Sequence, residues 1–390
     1  MKKGRAARPA LFVSAPLVSL AAALSLTGCP QAAPPAPAPP TPAASPTPDA
    51  PPDARAQLEQ IVRERCVDAQ RPWALAHAVL VLGAELRLPD GSLAIERLVV
   101  DNLPPDSLVF PRRRGETPVD AHPGLILKTL LEVGVPPERA FTASGGRTVR
   151  LAELVAAARA EGLDERAPVP LGNQAWRLEV MAEVAPPELR QRALEVLVEN
   201  QAYFETWAKD PQRPYRKATV VVDGRRAPGA IHRYFCGGFH LFQAVQRLHG
   251  KELPPELARQ YELLLLRLEL ETHYWEQAWA QVSAKAPPDL ARHRRVILSQ
   301  RLKLQGHALE TYLRAVRVGA LALSETVKPR LTRGFQALAA TVAELQSAGV
   351  VASLPALEAE DPQLYRDLVG DAAHALHAWV LAEAAGLPTR

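Results

Sequence analysis

Histidine is the side chain whose ordinary pKa lies closest to neutral pH, and in this chain it recurs in one setting. Ala76-His77-Ala78 leads Val-Leu-Val-Leu, and Ala121-His122-Pro123 leads Gly-Leu-Ile-Leu. Phe239-His240-Leu241 leads Phe-Gln-Ala-Val. Gly306-His307-Ala308 leads Leu-Glu-Thr-Tyr-Leu, and Ala373-His374-Ala375 leads Leu-His-Ala-Trp, which adds His377. Each histidine reads as sitting early in an apolar helix, mostly beside small residues that let another helix or a ligand come close. A neutral imidazole takes a proton, binds a metal or hydrogen-bonds a hydroxyl. Glu310 follows His307 by three residues, so one helix face carries both. Gathered in one place, His240, His307 and His374 or His377 would move protons while Glu310 orients a substrate. Taken singly, each is equally a satisfied core residue.

The stretch Arg-Tyr-Phe-Cys-Gly-Gly-Phe-His, residues 233–240, raises a second question. His232, Cys236 and His240 are spaced four and four, as metal ligands on one helix face would be. Gly237-Gly238 reads instead as the helix start, which leaves His232 outside, and a closed zinc site wants four ligands. The expectation is therefore no metal and no cofactor. Trp275 and Trp279, one turn apart, would stack a sugar if exposed, and at that spacing are more often core. With His77 and His122 they form the candidate ligand-binding set. No G-x-S-x-G, P-loop, H-E-x-x-H or nucleotide fingerprint occurs.

The elements that must position these residues are helical. Ala, Leu, Glu and Arg dominate and apolar residues recur at three and four, as in Leu58, Ile61, Val62 and Cys66. Four starts share one form: Pro136-Pro137-Glu138, Pro186-Pro187-Glu188, Pro254-Pro255-Glu256 and Pro287-Pro288-Asp289. Proline fits a first helical turn, and an acid there meets the positive end of the helix dipole. Only residues 218–223 read as a strand or hairpin arm. The fold class expected is all-α, an α/α toroid or related helical-hairpin array with at most one small β-hairpin. In a toroid the inner helices run the same way, so histidines at their N-termini would converge on one mouth.

Gly306-His307-Ala308-Leu309-Glu310 resembles the G-H-x-x-E motif of the N-acylglucosamine 2-epimerase superfamily, which are α/α toroids. Phe239-His240-Leu241-Phe242-Gln243-Ala244 is similar to that family's upstream H-L-x-E-A segment, with Gln243 in place of the acid. The resemblance implies that His307 and Glu310 line a sugar site, that His240 neighbours it, and that His374 or His377 shuttles a further proton. Gly237-Gly238-Phe239 gives a looser resemblance to prenyltransferase and terpenoid-cyclase toroids, without their acidic motif.

The first residues suggest export. Lys2, Lys3, Arg5 and Arg8 precede a short apolar run over residues 10–26. Leu26-Thr27-Gly28-Cys29 resembles the lipobox of bacterial lipoproteins, which implies cleavage before Cys29 and lipid on that cysteine. The expected organisation is a signal peptide over 1–28, a lipidated Cys29 with a proline- and alanine-rich tether to 52, and an α-helical domain over 53–390. Residues 30–52 hold eleven prolines, which favour extended polyproline II over a packed core. Without the four basic residues of the signal peptide, 42 basic face 42 acidic residues, so nothing points to nucleic acid. The expected setting is the bacterial cell envelope, on the periplasmic or surface face of the outer membrane. The expected partners are the membrane, through the anchor, and a glycan or an envelope protein. Outside the inner membrane the compartment is oxidising, which makes Cys66 and Cys236 a candidate disulfide.

Function reads as a ligand-binding or scaffolding module, with a glycan as one candidate ligand. The alternatives are a carbohydrate-active isomerase or lyase using the histidines, and a purely structural envelope protein.

Overall fold

The computed structural model describes residues 53–389 except 144–145, 165–170, 217–218, 223–224 and 229. The expected signal peptide, Cys29 and tether lie outside the described residues. Helices are α1 (Ala54–Cys66), α2 (Pro72–Leu82), α3 (Ala94–Val100), α4 (Leu125–Glu132), α5 (Leu151–Glu161), α6 (Ala175–Met181) and α7 (Pro187–Gln201). They continue as α8 (Glu205–Lys209), α9 (Phe239–His249), α10 (Pro255–Lys285), α11 (Leu290–Arg317), α12 (Lys328–Ser347), α13 (Val350–Glu360) and α14 (Pro362–Ala384). The chain is mostly α, as expected. The strand read over 218–223 is β5 (Thr219–Val222), paired antiparallel with β6 (Arg225–Pro228). Two shorter antiparallel pairs join it: β1 (Arg113–Arg114) with β2 (Thr117–Pro118), and β3 (Ala140–Thr142) with β4 (Thr148–Arg150). Two or three residues per strand are too few for alternation to show in a sequence.

The double prolines open α7 and α10 at Pro187 and Pro255, and α11 follows directly on Asp289. Pro136-Pro137 makes a turn instead. The carbonyls of Pro137 and Arg139 accept the Ala152 and Leu151 N–H groups, so the chain there caps the first turn of α5 rather than starting its own helix. Among the described residues no single helix is long and apolar enough to cross a membrane.

α11 and α14 pack together along much of their lengths, and the apolar seams of α9, α10 and α12 lie against α11. Contacts then run from α14 to α2, α2 to α4, α4 to α6, α6 to α9 and α9 back to α11, a closed circuit of six helices. α1 packs outside, on α14 and α2. Glycine sets the tightest crossing: a Cβ on Gly306 of α11 would lie 3.0 Å from the backbone N and Cα of Ala375 on α14. This is why a glycine precedes His307 within a continuous helix. Gly306→Val is expected to destabilise the fold by roughly 2–3 kcal/mol through overpacking, read as a lower urea midpoint at unchanged slope. A midpoint equal to wild type would mean that the crossing relaxes freely.

Candidate functional site

The six helices of the circuit turn polar side chains toward one another. α2 supplies His77, α9 His240 and Gln243, α11 His307, Glu310 and Arg314, and α14 Asp371, His374 and His377. Trp176 comes from α6, and His122 from the turn before α4. Ring centroids of His374 lie 4.0 Å from His307, 5.1 Å from His240 and 5.2 Å from His77. His240 and His307 are 4.9 Å apart. Trp176 stands 4.5 Å from His240 and 4.6 Å from His122, edge to face.

The expected convergence of histidines is therefore present, but its geometry differs from a mouth at helix N-termini. His240 does stand at the start of α9. His77, His307, His374 and His377 lie well inside their helices. Gly306 reads in the sequence as part of a helix start, yet it is a packing glycine within α11, and Gly370 of α14 is another: a Cβ there would strike the Trp73 ring. No open mouth results. His307 and Glu310 are fully buried, and His77, His240, His374 and His377 are nearly so.

Glu310 is the hub. Its Oε1 accepts from His377 Nδ1 at 2.7 Å, and its Oε2 accepts from His374 Nδ1 at 2.9 Å and Gln243 Nε2 at 3.0 Å. A carboxylate only accepts, so both imidazoles carry their proton on Nδ1. Gln243 also donates to Thr311 Oγ1 and accepts from Arg314 through its carbonyl oxygen. A glutamate at 243 would set a second carboxylate against Glu310; the amide donates to one neighbour and accepts from the other. Arg314 extends the network to Glu179 at 2.7 Å and Glu132 at 3.0 Å, and Lys128 reaches Glu132 at 2.7 Å.

Burial sets the proton occupancy. It holds His307 down to about 3, against the pull of Glu310. It holds His77 and His240 well below the usual imidazole value, and His374 and His377 below it despite Glu310. His122 falls to about 4 for the same reason, helped by Arg112. Burial alone would raise Glu310, but His374 and His377 beside it keep the carboxyl well below its ordinary range. Burial pushes Asp371 up to about 8, against the Lys303 ammonium. At neutral pH the centre is thus a set of neutral imidazoles around one carboxylate.

One part of the centre is unsatisfied. Neither ring nitrogen of His307 makes a hydrogen bond, nor does His240 Nδ1 or Asp371 Oδ2. His307 Nε2 stands 3.3 Å from Asp371 Oδ1 without hydrogen-bond alignment, and Nδ1 stands 3.8 Å from Glu310 Oε2, beyond hydrogen-bond reach. Buried polar atoms ordinarily find partners.

Other candidates fall elsewhere. His232 stands with Tyr203 Oη at 2.6 Å and Glu271 Oε1 at 3.0 Å, in a cluster completed by Tyr215, whose hydroxyl donates to Glu271 at 2.8 Å. It does not share a helix face with Cys236 and His240. Trp275 is buried, and Trp279 lies under the Arg294 guanidinium, so the two present no paired sugar-stacking face. Cys66 and Cys236 are both free thiols, without the bridge that an oxidising compartment would allow. Cys66 is buried against the core at the end of α1, while Cys236 faces Lys303 and Asp371.

Sequence reasoning missed Asp371, Thr311 and Arg314. Their signal was helical spacing alone: Asp371 precedes His374 by three, and Arg314 follows Glu310 by four. Comparison with known protein families, curated proteins and solved structures finds no match.

Proposed function

We propose that this chain is a lipid-anchored envelope protein of a bacterium whose helical domain binds a small ligand at the buried histidine centre. The observation that carries the reading is the unsatisfied set: buried imidazole and carboxylate atoms of three helices turned toward one another without a hydrogen bond. Leaving such atoms unpaired costs roughly 1–3 kcal/mol each, a cost that a ligand would repay. The closed circuit of helices supports a toroid-like ring around this centre. The burial of His307 and Glu310 favours a ligand of a few atoms over a glycan chain. Export rests on the residues before 53: the basic head, the apolar run, the lipobox-like Leu26-Thr27-Gly28-Cys29 and the proline tether, which set the folded part off the bilayer of the envelope.

A proton-transfer enzyme is the second reading. It is favoured by the Glu310 contacts to His374 and His377, which fix each imidazole as one tautomer with its other nitrogen basic. In either reading Glu310, His240, His307, His374 and His377 are the residues that act.

The test is thermal unfolding of the full chain against monosaccharides, small carboxylates, phosphate and divalent cations. A ligand at 100 times its Kd adds about 2.7 kcal/mol, a shift of roughly 2–4 °C for a domain of this size. A shift that vanishes in His240→Gln supports the reading. A panel without a responder removes ligand binding and leaves the structural alternative.

A further inference from the structure

We infer that Cys236, His240 and His307, with Asp371 as fourth donor, form a site for a borderline-soft divalent metal ion such as zinc. The inference rests on the binding reading above and names its ligand.

The donors come from separate elements: three of them form one compact group and Asp371 stands beside His307. Cys236 lies in the turn before α9, His240 in the first turn of α9, His307 in α11 and Asp371 in α14. One ligand atom each from Cys236, His240 and His307 lies within 4.8 Å of the others. A tetrahedral ion held at ~2.0–2.3 Å sets its donors about 3.3–3.8 Å apart, so side-chain movements on the order of an ångström close the set. Asp371 is beside them, its Oδ1 at 3.3 Å from His307 Nε2 and its Oδ2 without a hydrogen bond. Thiolate, imidazole and carboxylate together suit zinc and cobalt(II) rather than calcium or magnesium.

Two observations beyond proximity point the same way. Of the unsatisfied atoms in and around the centre, both nitrogens of His307, Nδ1 of His240 and Oδ2 of Asp371 belong to these donors, while Trp176 Nε1 and Glu179 Oε1 lie outside the set. A neighbouring triplet, His307 with Glu310 and His374, is also compact. Its Glu310 oxygens, however, already accept from His374, His377 and Gln243. The backbone supplies the second observation. Cys236 has φ +47°, in the left-handed region, followed by Gly237 at +61° and Gly238 at +80°. The two glycines are required where they stand: a Cβ would meet Arg267 at Gly237 and Ile231 at Gly238. Within this turn Cys236 is the residue that adopts a left-handed backbone while carrying a side chain; Ala286, at a helix end, is the other non-glycine with positive φ among the described residues. Arg267 holds the turn, donating to the Gly237 carbonyl at 2.8 Å and lying over the Phe239 ring. Strain kept at a cysteine in this way is a feature of functional positions.

Binding exchanges protons for the ion. The Cys236 thiol, whose pKa burial raises, loses its proton to solvent as the metal–sulfur bond forms, and Asp371 loses its own. Affinity therefore rises with pH. Lys303, 3.8 Å from Asp371 Oδ2, balances the added negative charge.

The test uses the full chain without an affinity tag, stripped with a chelator and titrated with cobalt(II). One equivalent should bind, with a thiolate-to-cobalt charge-transfer band and the visible spectrum of a tetrahedral ion, and zinc should displace it. Cys236→Gly, which suits the left-handed backbone and so preserves the fold, should lose the band and bind more weakly by over ~100-fold. Cys66→Ser should keep both. No stoichiometric binding, or binding whose spectrum is the same in Cys236→Gly, overturns the inference. The thermal panel separates the two levels: a response to a small organic ligand with no cobalt site leaves the binding reading standing, whereas silence from both removes it as well.

Discussion

Glu310→Ala is expected to lose about 3–5 kcal/mol of stability, the summed cost of leaving buried hydrogen-bond donors without their acceptor at about 1–3 kcal/mol each. The side chain is fully buried and accepts from His374, His377 and Gln243. With the carboxylate gone, three donors on α9 and α14 lose their acceptor, and none can reach water without opening the packing of α11 on α14. Arg314 also loses a counter-charge that reached it through Gln243. Glu310→Gln separates charge from shape. It keeps one acceptor but turns an amide N–H toward an imidazole N–H, so its expected cost is smaller, roughly 1–3 kcal/mol. Urea unfolding of the two variants and wild type checks the order. Equal midpoints for all three would mean that Glu310 is not the hub described.

Acid is expected to unfold the protein between pH 6.5 and 5, well above the range where carboxylates alone would act. His77, His122, His240, His307, His374 and His377 are all held below the ordinary imidazole value of 6.5 in the fold. As pH falls through about 6.5 the unfolded chain takes up these protons and the folded one does not, so stability falls with pH. A histidine that stays neutral in the fold over this range costs about 2 kcal/mol between pH 7 and 5, and one lowered less costs less. Asp371 works the other way: raised to about 8, it binds its proton in the fold first and offsets part of the loss on acidification. Six imidazoles outweigh one carboxyl, and their sum is comparable with the ~5–15 kcal/mol that holds a typical domain folded. Circular dichroism from pH 8 to 4 reads the transition. A melting temperature that stays flat down to pH 5 would show that the imidazoles are charged in the fold.

The sequence made the helices legible because their apolar spacing and proline starts are local. It also singled out the histidines and Glu310, since small residues around them already implied close packing. Three things escaped it. Gly306 looked like helix punctuation, because a glycine that fits another helix and one that ends a helix are the same letter. Whether His232 or His307 joins Cys236 and His240 depends on the turn at residues 236–238, whose left-handed backbone is fixed by Arg267 and Ile231 from a distance. Burial was the third. The expected mouth became an enclosed centre because the circuit brings His77, His240, His307 and His374 together in the interior, which no single segment encodes.

The closed circuit of helices also governs the order of assembly. Its last segment, α14, lies between α11 and α2, so it joins a neighbour in the chain to one nearly three hundred residues upstream. Contacts of such long range form slowly. Until residues 362–384 arrive, a chain emerging N-terminus first leaves His77, His240 and His307 facing solvent along an open side. The interior is then within reach of whatever the surroundings hold, and docking of α14 seals it. A ligand proposed for the centre would therefore enter most readily before the final helix docks.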